Sequence, residues 1–175
     1  MTESSRDIRM WNGTREIARL LQSVFAAELL APSRRIFLIS PWITDIPVLD
    51  NTAGQFSSLV PDWDRVPIRL SRALIRLAET GSEVLVLARK DYRNQAFLDR
   101  MTDAQDRLPA QIHIKCTPSL HEKGLLGDRY YLFGSFNFTH NGIAVLKERA
   151  TFITESGRIA EHRLSLEQHW EELDP

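Results

Sequence analysis

A layered α/β domain is the fold this sequence predicts, on three observations. Apolar segments of strand length alternate along the chain with amphipathic segments of helical period, the pattern of a sheet covered by helices. Residues 34–40 (RRIFLIS) and 84–89 (VLVLAR) are mostly apolar, and the first reads as a strand buried on both faces. A chain of 175 residues, 43% hydrophobic and 26% charged, has the size and composition of one soluble globular domain.

The elements follow in order. Residues 13–31 read as an amphipathic helix, with Ile17, Leu20, Leu21, Val24, Phe25 and Leu29 at helical spacing. Asn12 or Thr14 serves as its N-cap and Pro32 ends it. The strand at 34–40 comes next. Between 44 and 66 the periodicity breaks on Pro47, Gly54, two serines and Pro61. A loop of that length is functional or mobile, or else an insertion packed on the surface. Residues 67–79 form a second amphipathic helix, with Ile68, Leu70, Leu74, Ile75 and Leu77, stopped by Gly81. A strand at 84–89, a short helix at 94–104 and an alternating strand at 111–117 follow. Strands at 120–126, 130–137 and 147–154 precede a terminal helix at 157–172. No internal repeat is visible, so the single domain spans 1–175.

Composition narrows the function. One cysteine, Cys116, excludes an internal disulfide and a cysteine-based metal cage, which fits a reducing, cytoplasmic setting. The N-terminal residues MTESSRDIRMW hold no apolar signal region, and no run approaches the length of a membrane span. A net charge of −1 argues against broad electrostatic capture of nucleic acid but leaves room for a local groove. Of the 22 basic residues 18 are arginines, whose planar fork suits phosphate.

The segment from His121 to Asn137, HEKGLLGDRYYLFGSFN, carries most of the functional information. Six specified residues at fixed offsets (His121, Lys123, Asp128, Gly134, Ser135 and Asn137) arise by chance at about one start position in tens of millions. Residues two apart on a strand share a face, so His121 and Lys123 project together while Glu122 points away. If 130–137 pairs with 120–126, Ser135 and Asn137 join them. A nucleophile or acid, a cation and two neutral hydrogen-bonding groups then converge, as a phosphodiester requires. Asp128 falls at the hairpin between the two strands and reads as structural. Gly134 reads as a point of close backbone approach.

This stretch resembles the signature of the phospholipase D superfamily: H-x-K, four residues, Asp, five or six residues, then G-S-x-N. Beyond it, FNFTHNGI and Leu146-Lys147-Glu148 resemble the segment in which a downstream Glu supports the histidine of that family. Upstream, RRIFLISPWITD is similar to its first core strand, which often ends in Ser-Pro-Trp. The resemblance covers about 34–43 and 82–155. The gap between Asp128 and Gly134 is slightly short, and there is one motif copy where many members carry two.

The resemblance implies a mixed β-sheet flanked by helices on both faces and a phosphodiesterase, most readily a nuclease, with no cofactor and no metal. His121 is then the nucleophile through a phosphohistidine intermediate. A second histidine is the general acid. Lys123, Ser135 and Asn137 hold the phosphoryl oxygens, and Glu148 fixes the tautomer of the histidine. One histidine cannot easily serve as nucleophile and acid in one step, so a homodimer sharing one cleft across its axis is expected. Arg89, Lys90 and Arg93 follow a strand end and are candidate phosphate contacts, with His140 a weaker one; Arg34 and Arg35 are less favoured because they precede their strand. His113 is placed on a sheet face, His162 and His169 in solvent on the terminal helix, and Trp42 in the core. The short single-motif chain, with SPWITD and THNG, is also similar to the phospholipase D-like component of bacterial systems that insert 7-deazaguanine bases in DNA and restrict unmodified DNA. Partners would then include nucleic acid and other components of such a system, without a membrane. Two other classes remain open: a phospholipid phosphodiesterase or transphosphatidylase, and a non-catalytic subunit of a DNA-processing complex.

Overall fold

Alternate residues of each strand go to opposite faces of one sheet, and that alternation organises the molecule. The computed structural model describes residues 5–9, 16–145 and 148–173. Its strands are β1 (Ser5–Arg9), β2 (Arg35–Ser40), β3 (Pro47–Leu49), β4 (Ile68–Arg69), β5 (Glu83–Ala88), β6 (Ile112–Cys116), β7 (Gly124–Leu126), β8 (Tyr131–Gly134) and β9 (Arg149–Ile153). Its helices are α1 (Glu16–Leu30), α2 (Leu70–Glu79), α3 (Gln95–Arg107), α4 (His140–Ala144) and α5 (Ser156–Glu172), with a single 3-10 turn at Tyr92–Asn94. A 7-stranded sheet runs β1-β9-β8-β7-β2-β5-β6, and β3 pairs with β4 apart from it. β2, β5 and β6 are parallel, while β7, β8, β9 and β1 continue the sheet antiparallel.

Ile36 and Leu38 of β2, Val84 and Val86 of β5, Leu125 of β7 and Leu132 of β8 pack in the core shared with α1, α2 and α3. Their neighbours Phe37, Ile39, Leu85, Leu87, Leu126 and Tyr131 pack in a second core with Ile159 and Leu166 of α5. Each fully buried aliphatic or aromatic side chain contributes about 1.5–3 kcal/mol, which makes this two-sided burial the main stabilising term. The mixed sheet with helices on both faces is thus the architecture expected.

Several boundaries differ from expectation, each for a physical reason. The predicted strand 120–126 begins only at Gly124. Ile39 pairs with Gly124, so continuing the ladder would set Glu122 opposite Pro41, which has no N–H to donate. β8 ends at Gly134, so Ser135 and Asn137 lie in the loop beyond it and not on the strand. Residues 44–66 are packed and not a free loop. Ile46, Val48, Leu49, Val60 and Trp63 enter the core. Buried Asn51 braces the segment, its side chain accepting from the Phe56 N–H and donating to the Asp64 carbonyl at 2.9 and 2.8 Å. The helix expected from residue 67 starts at Leu70, after the short strand β4. Asp45 fixes that start by accepting from the Ser71 N–H and hydroxyl, both at 2.9 Å. β1 and α4 have no counterpart in the sequence reading. The proposed caps Asn12 and Thr14 lie outside the described residues, as do Leu146 and Lys147.

Candidate active site

The sheet's topology gathers the motif at one end. β2 and β5 are parallel and finish together at Ser40 and Ala88, and β7 begins beside Ile39. β8, antiparallel to β7, finishes at Gly134 at the same end. The carboxyl ends of the parallel strands are where an open α/β sheet has room for a ligand.

His121 and Lys123 stand on the extended segment leading into β7. His121 is exposed, and its imidazole makes no hydrogen bond among the described residues. The Lys123 ammonium donates to the His121 carbonyl at 2.6 Å, which holds the two residues in one arrangement. Glu122 accepts from the Tyr131 hydroxyl at 3.4 Å, on the α5 side of the sheet. The Gly134 N–H donates to the Lys123 carbonyl at 3.3 Å and ties the two halves of the motif together. A Cβ at Gly134 would lie 2.0 Å from the Arg149 carbonyl oxygen, so only glycine lets β8 close on β9 here.

Beyond Gly134 the chain turns. The Ser135 hydroxyl donates to the Glu148 carboxylate and accepts from the Arg149 N–H at 3.0 Å. Glu148 therefore reaches the motif, and its hydrogen-bond partner is Ser135; among the described residues no hydrogen bond joins it to His121. Asn137 is half-buried, between the buried rings Phe136 and Phe138. Its Oδ1 accepts from the fully buried Ser40 hydroxyl at 3.3 Å, which turns the amide nitrogen, with two donors, away from Ser40. Gly142 supports the same spot: a Cβ there would lie 2.3 Å from the Asn137 carbonyl oxygen, so α4 packs directly on this backbone. Thr139 caps α4, its side chain accepting from the Gly142 N–H at 3.1 Å.

A second wall comes from residues 40–44 and 89–94. Ser40 donates also to the Trp42 carbonyl at 2.9 Å, and Ile43 bridges Phe138 in parallel. Fully buried Asn94 joins the two segments. It accepts from the Ile43 N–H at 2.8 Å and donates to the Pro41 and Arg89 carbonyls at 2.9 and 2.7 Å. Arg89 donates through Nε to the Leu120 carbonyl at 2.9 Å, one residue before His121. Arg89 thus stands beside the motif, and Lys90 is exposed next to it. Arg93 is already engaged by Asp91, at 2.9 and 2.8 Å, and the guanidinium holds that carboxyl well below the usual carboxylate range. Trp42 is half-buried under Arg93 and Arg89 instead of in the core.

The remaining candidates fall elsewhere. Asp128 sits in the turn between β7 and β8 and accepts from the Arg34 N–H at 2.8 Å and the Arg163 guanidinium at 3.1 Å. Arg34 and Arg35 lie at the start of β2, the end away from the motif, and Arg35 binds Glu83 and Glu167 at 2.6 Å each. His113 on β6 is 3.5 Å from Glu83. His140 opens α4 with its side chain exposed. His162 is not solvated but half-buried against Tyr131 and Phe133, with ring centroids 4.8 and 5.5 Å away. No group of three or more His, Cys, Asp or Glu that could hold a metal ion occurs among the described residues. No described helix is long and apolar enough to cross a membrane. Sequence reasoning missed Ser40 and Asn94, although the Ser-Pro-Trp at 40–42 marked the right segment.

No family model and no curated protein matches this sequence. Solved structures do match. NucT from Helicobacter pylori superposes with a TM-score of 0.66 at 12% identity, covering 98% of each chain. Nuc from Salmonella typhimurium, a phospholipase D family member, superposes with a TM-score of 0.64 at 17% identity, covering 99% of this chain and 97% of the other. TrmBL2, an archaeal chromatin protein, matches with a TM-score of 0.57 at 13% identity over 98% of this chain and 54% of its own. The chain has the fold of a phospholipase D family member, over nearly its whole length.

Proposed function

We propose that this protein is a metal-independent phosphodiesterase, a nuclease, whose complete site is shared by two copies of the chain. The observation that carries this reading is that the segments bearing His121, Lys123, Ser135, Asn137 and Glu148 all lie at one end of a sheet with this fold. His121 presents there an exposed imidazole with no hydrogen bond among the described residues. The amide donors of Asn137 and the Lys123 cation suit the non-bridging oxygens of a phosphodiester.

In the proposed reaction neutral His121 of one copy attacks phosphorus in line, forming an N–P bond as the P–O bond to the leaving group breaks. His121 of the other copy, protonated, gives its proton to the leaving oxygen. The same histidine, now neutral, takes a proton from water, which attacks the phosphohistidine and restores the first imidazole. Glu148 would accept from the imidazole once substrate draws Ser135 onto a phosphoryl oxygen. The two identical histidines must differ in protonation, so their titration belongs to the pair. Arg89 and Lys90 extend the cationic surface along the substrate backbone. In a cell such an enzyme would fit a role beside DNA modification and restriction components.

A non-catalytic DNA-binding role is the second reading, favoured by the shared fold of TrmBL2, a chromatin protein with a novel mode of DNA binding. The test is cleavage of labelled single- and double-stranded DNA and RNA in excess EDTA, with phospholipid vesicles as control. The proposal expects nucleic-acid cleavage in chelator that falls at least about a hundredfold in His121→Asn. Cleavage lost to EDTA and restored by magnesium would reject the chemistry. Binding without cleavage would favour the second reading, and turnover of vesicles alone would favour lipid chemistry.

A further inference from the structure

The loop leaving β5 sets its arginines against two aromatic rings, its own Tyr92 and Trp42 of the segment after β2. The Arg93 guanidinium lies 4.5 Å from the Trp42 ring centroid and 5.6 Å from that of Tyr92, and Arg89 lies 5.6 Å from Trp42. Tyr92 itself is 84% exposed, more than any other large hydrophobic side chain described. An aromatic ring left in water keeps apolar surface that folding ordinarily buries. The ring does not sit on a loose loop. Asp91 caps the turn by accepting from the Arg93 N–H at 2.9 Å, and buried Asn94 anchors the following residue to the Pro41 and Arg89 carbonyls. The Arg89–Leu120 hydrogen bond fixes the same loop to the residue preceding His121.

We infer that this turn is a base-stacking subsite: Tyr92 receives the face of an unpaired base while Arg89 and Lys90 hold phosphates of the same strand as it passes to His121. The inference rests on the nuclease reading and narrows its substrate to single-stranded nucleic acid. Three cations, Arg89, Lys90 and Arg93, stand here against the one carboxylate of Asp91, so the patch is net positive and fits a phosphate backbone. Every base offers a π-face, so an exposed ring among cations recognises strand without recognising sequence. In a duplex those faces are already covered by neighbouring bases. Only an unpaired or splayed base can lie on Tyr92.

The test separates stacking from charge and from assembly. In a His121→Asn background, which removes cleavage, binding of a short labelled single-stranded DNA is measured at fixed salt beside an abasic strand of equal length. Tyr92→Ala should weaken binding of the base-bearing strand by about 5- to 150-fold. Tyr92→Phe should bind like the parent, and all three should bind the abasic strand equally. Unchanged binding by Tyr92→Ala would overturn the inference, as would an equal loss on the abasic strand. A change in sedimentation with intact binding would assign Tyr92 to a contact between protein chains and overturn it too. If the parent binds neither strand and the wild type cleaves neither, the nuclease reading falls as well. Binding indifferent to Tyr92 sinks the subsite alone.

Discussion

Gly134 is where the motif's spacing becomes a geometric demand. Its missing Cβ admits the Arg149 carbonyl, and the closure that results sets Ser135 against Glu148. Gly134→Ala should therefore lower stability by about 1–3 kcal/mol, the usual scale of overpacking, and should also cost activity, because Ser135 moves with the strand end. Denaturant titration beside a cleavage assay checks both, and an alanine variant with unchanged midpoint would show that β8 and β9 can separate freely. The close approach at Gly134 was legible in the sequence, as was the turn position of Asp128, because each is a residue type that such a position demands. The partners were less legible. Glu148 is at the right offset, yet in this chain it accepts from Ser135. Ser40 and Asn94 hold Asn137 and the Arg89 loop, but one buried serine before a proline and one asparagine in a turn carry no periodic signal. Their roles depend on a register between segments that sequence alone does not fix.

At the scale of elements, the long buried strands and amphipathic helices were readable from their periods, and their ends were not. The strand before Gly124 is cut short by Pro41, just past the end of the neighbouring β2, a constraint from a residue about eighty positions away. The short helix after THNG was not read from the sequence, although Thr139 caps it. Residues 44–66 look irregular for the same reason that they are stable. Their order comes from side-chain braces and scattered apolar anchors, with no regular period. Asn51 is the brace with the most to lose, since its amide satisfies the Phe56 N–H and the Asp64 carbonyl. Asn51→Ala should destabilise the fold by about 1–3 kcal/mol by leaving these groups unpaired. Amide exchange across 50–66 should rise in that variant while the β5 strand stays protected. Unaltered exchange throughout would show the segment is held by Val60 and Trp63 alone.

At the scale of the molecule, one sheet carries one copy of the motif at one end, with cores on both faces and a cationic, aromatic rim beside His121. A two-histidine displacement asks for twice that equipment. Two-fold pairing supplies it with no new residues, since each copy offers the same surface to the other. Such a cleft would give a partner to His121, which is exposed and makes no hydrogen bond among the described residues. A mixed dimer tests whether the site is shared. Wild-type and His121→Ala chains carrying different tags are co-expressed, the mixed species is isolated through both tags, and its cleavage rate is compared with that of the wild-type dimer. A shared site predicts activity at least about a hundredfold below wild type, because the mixed cleft lacks either the nucleophile or the acid. A mixed dimer retaining half the wild-type rate would mean two independent sites and would contradict the account.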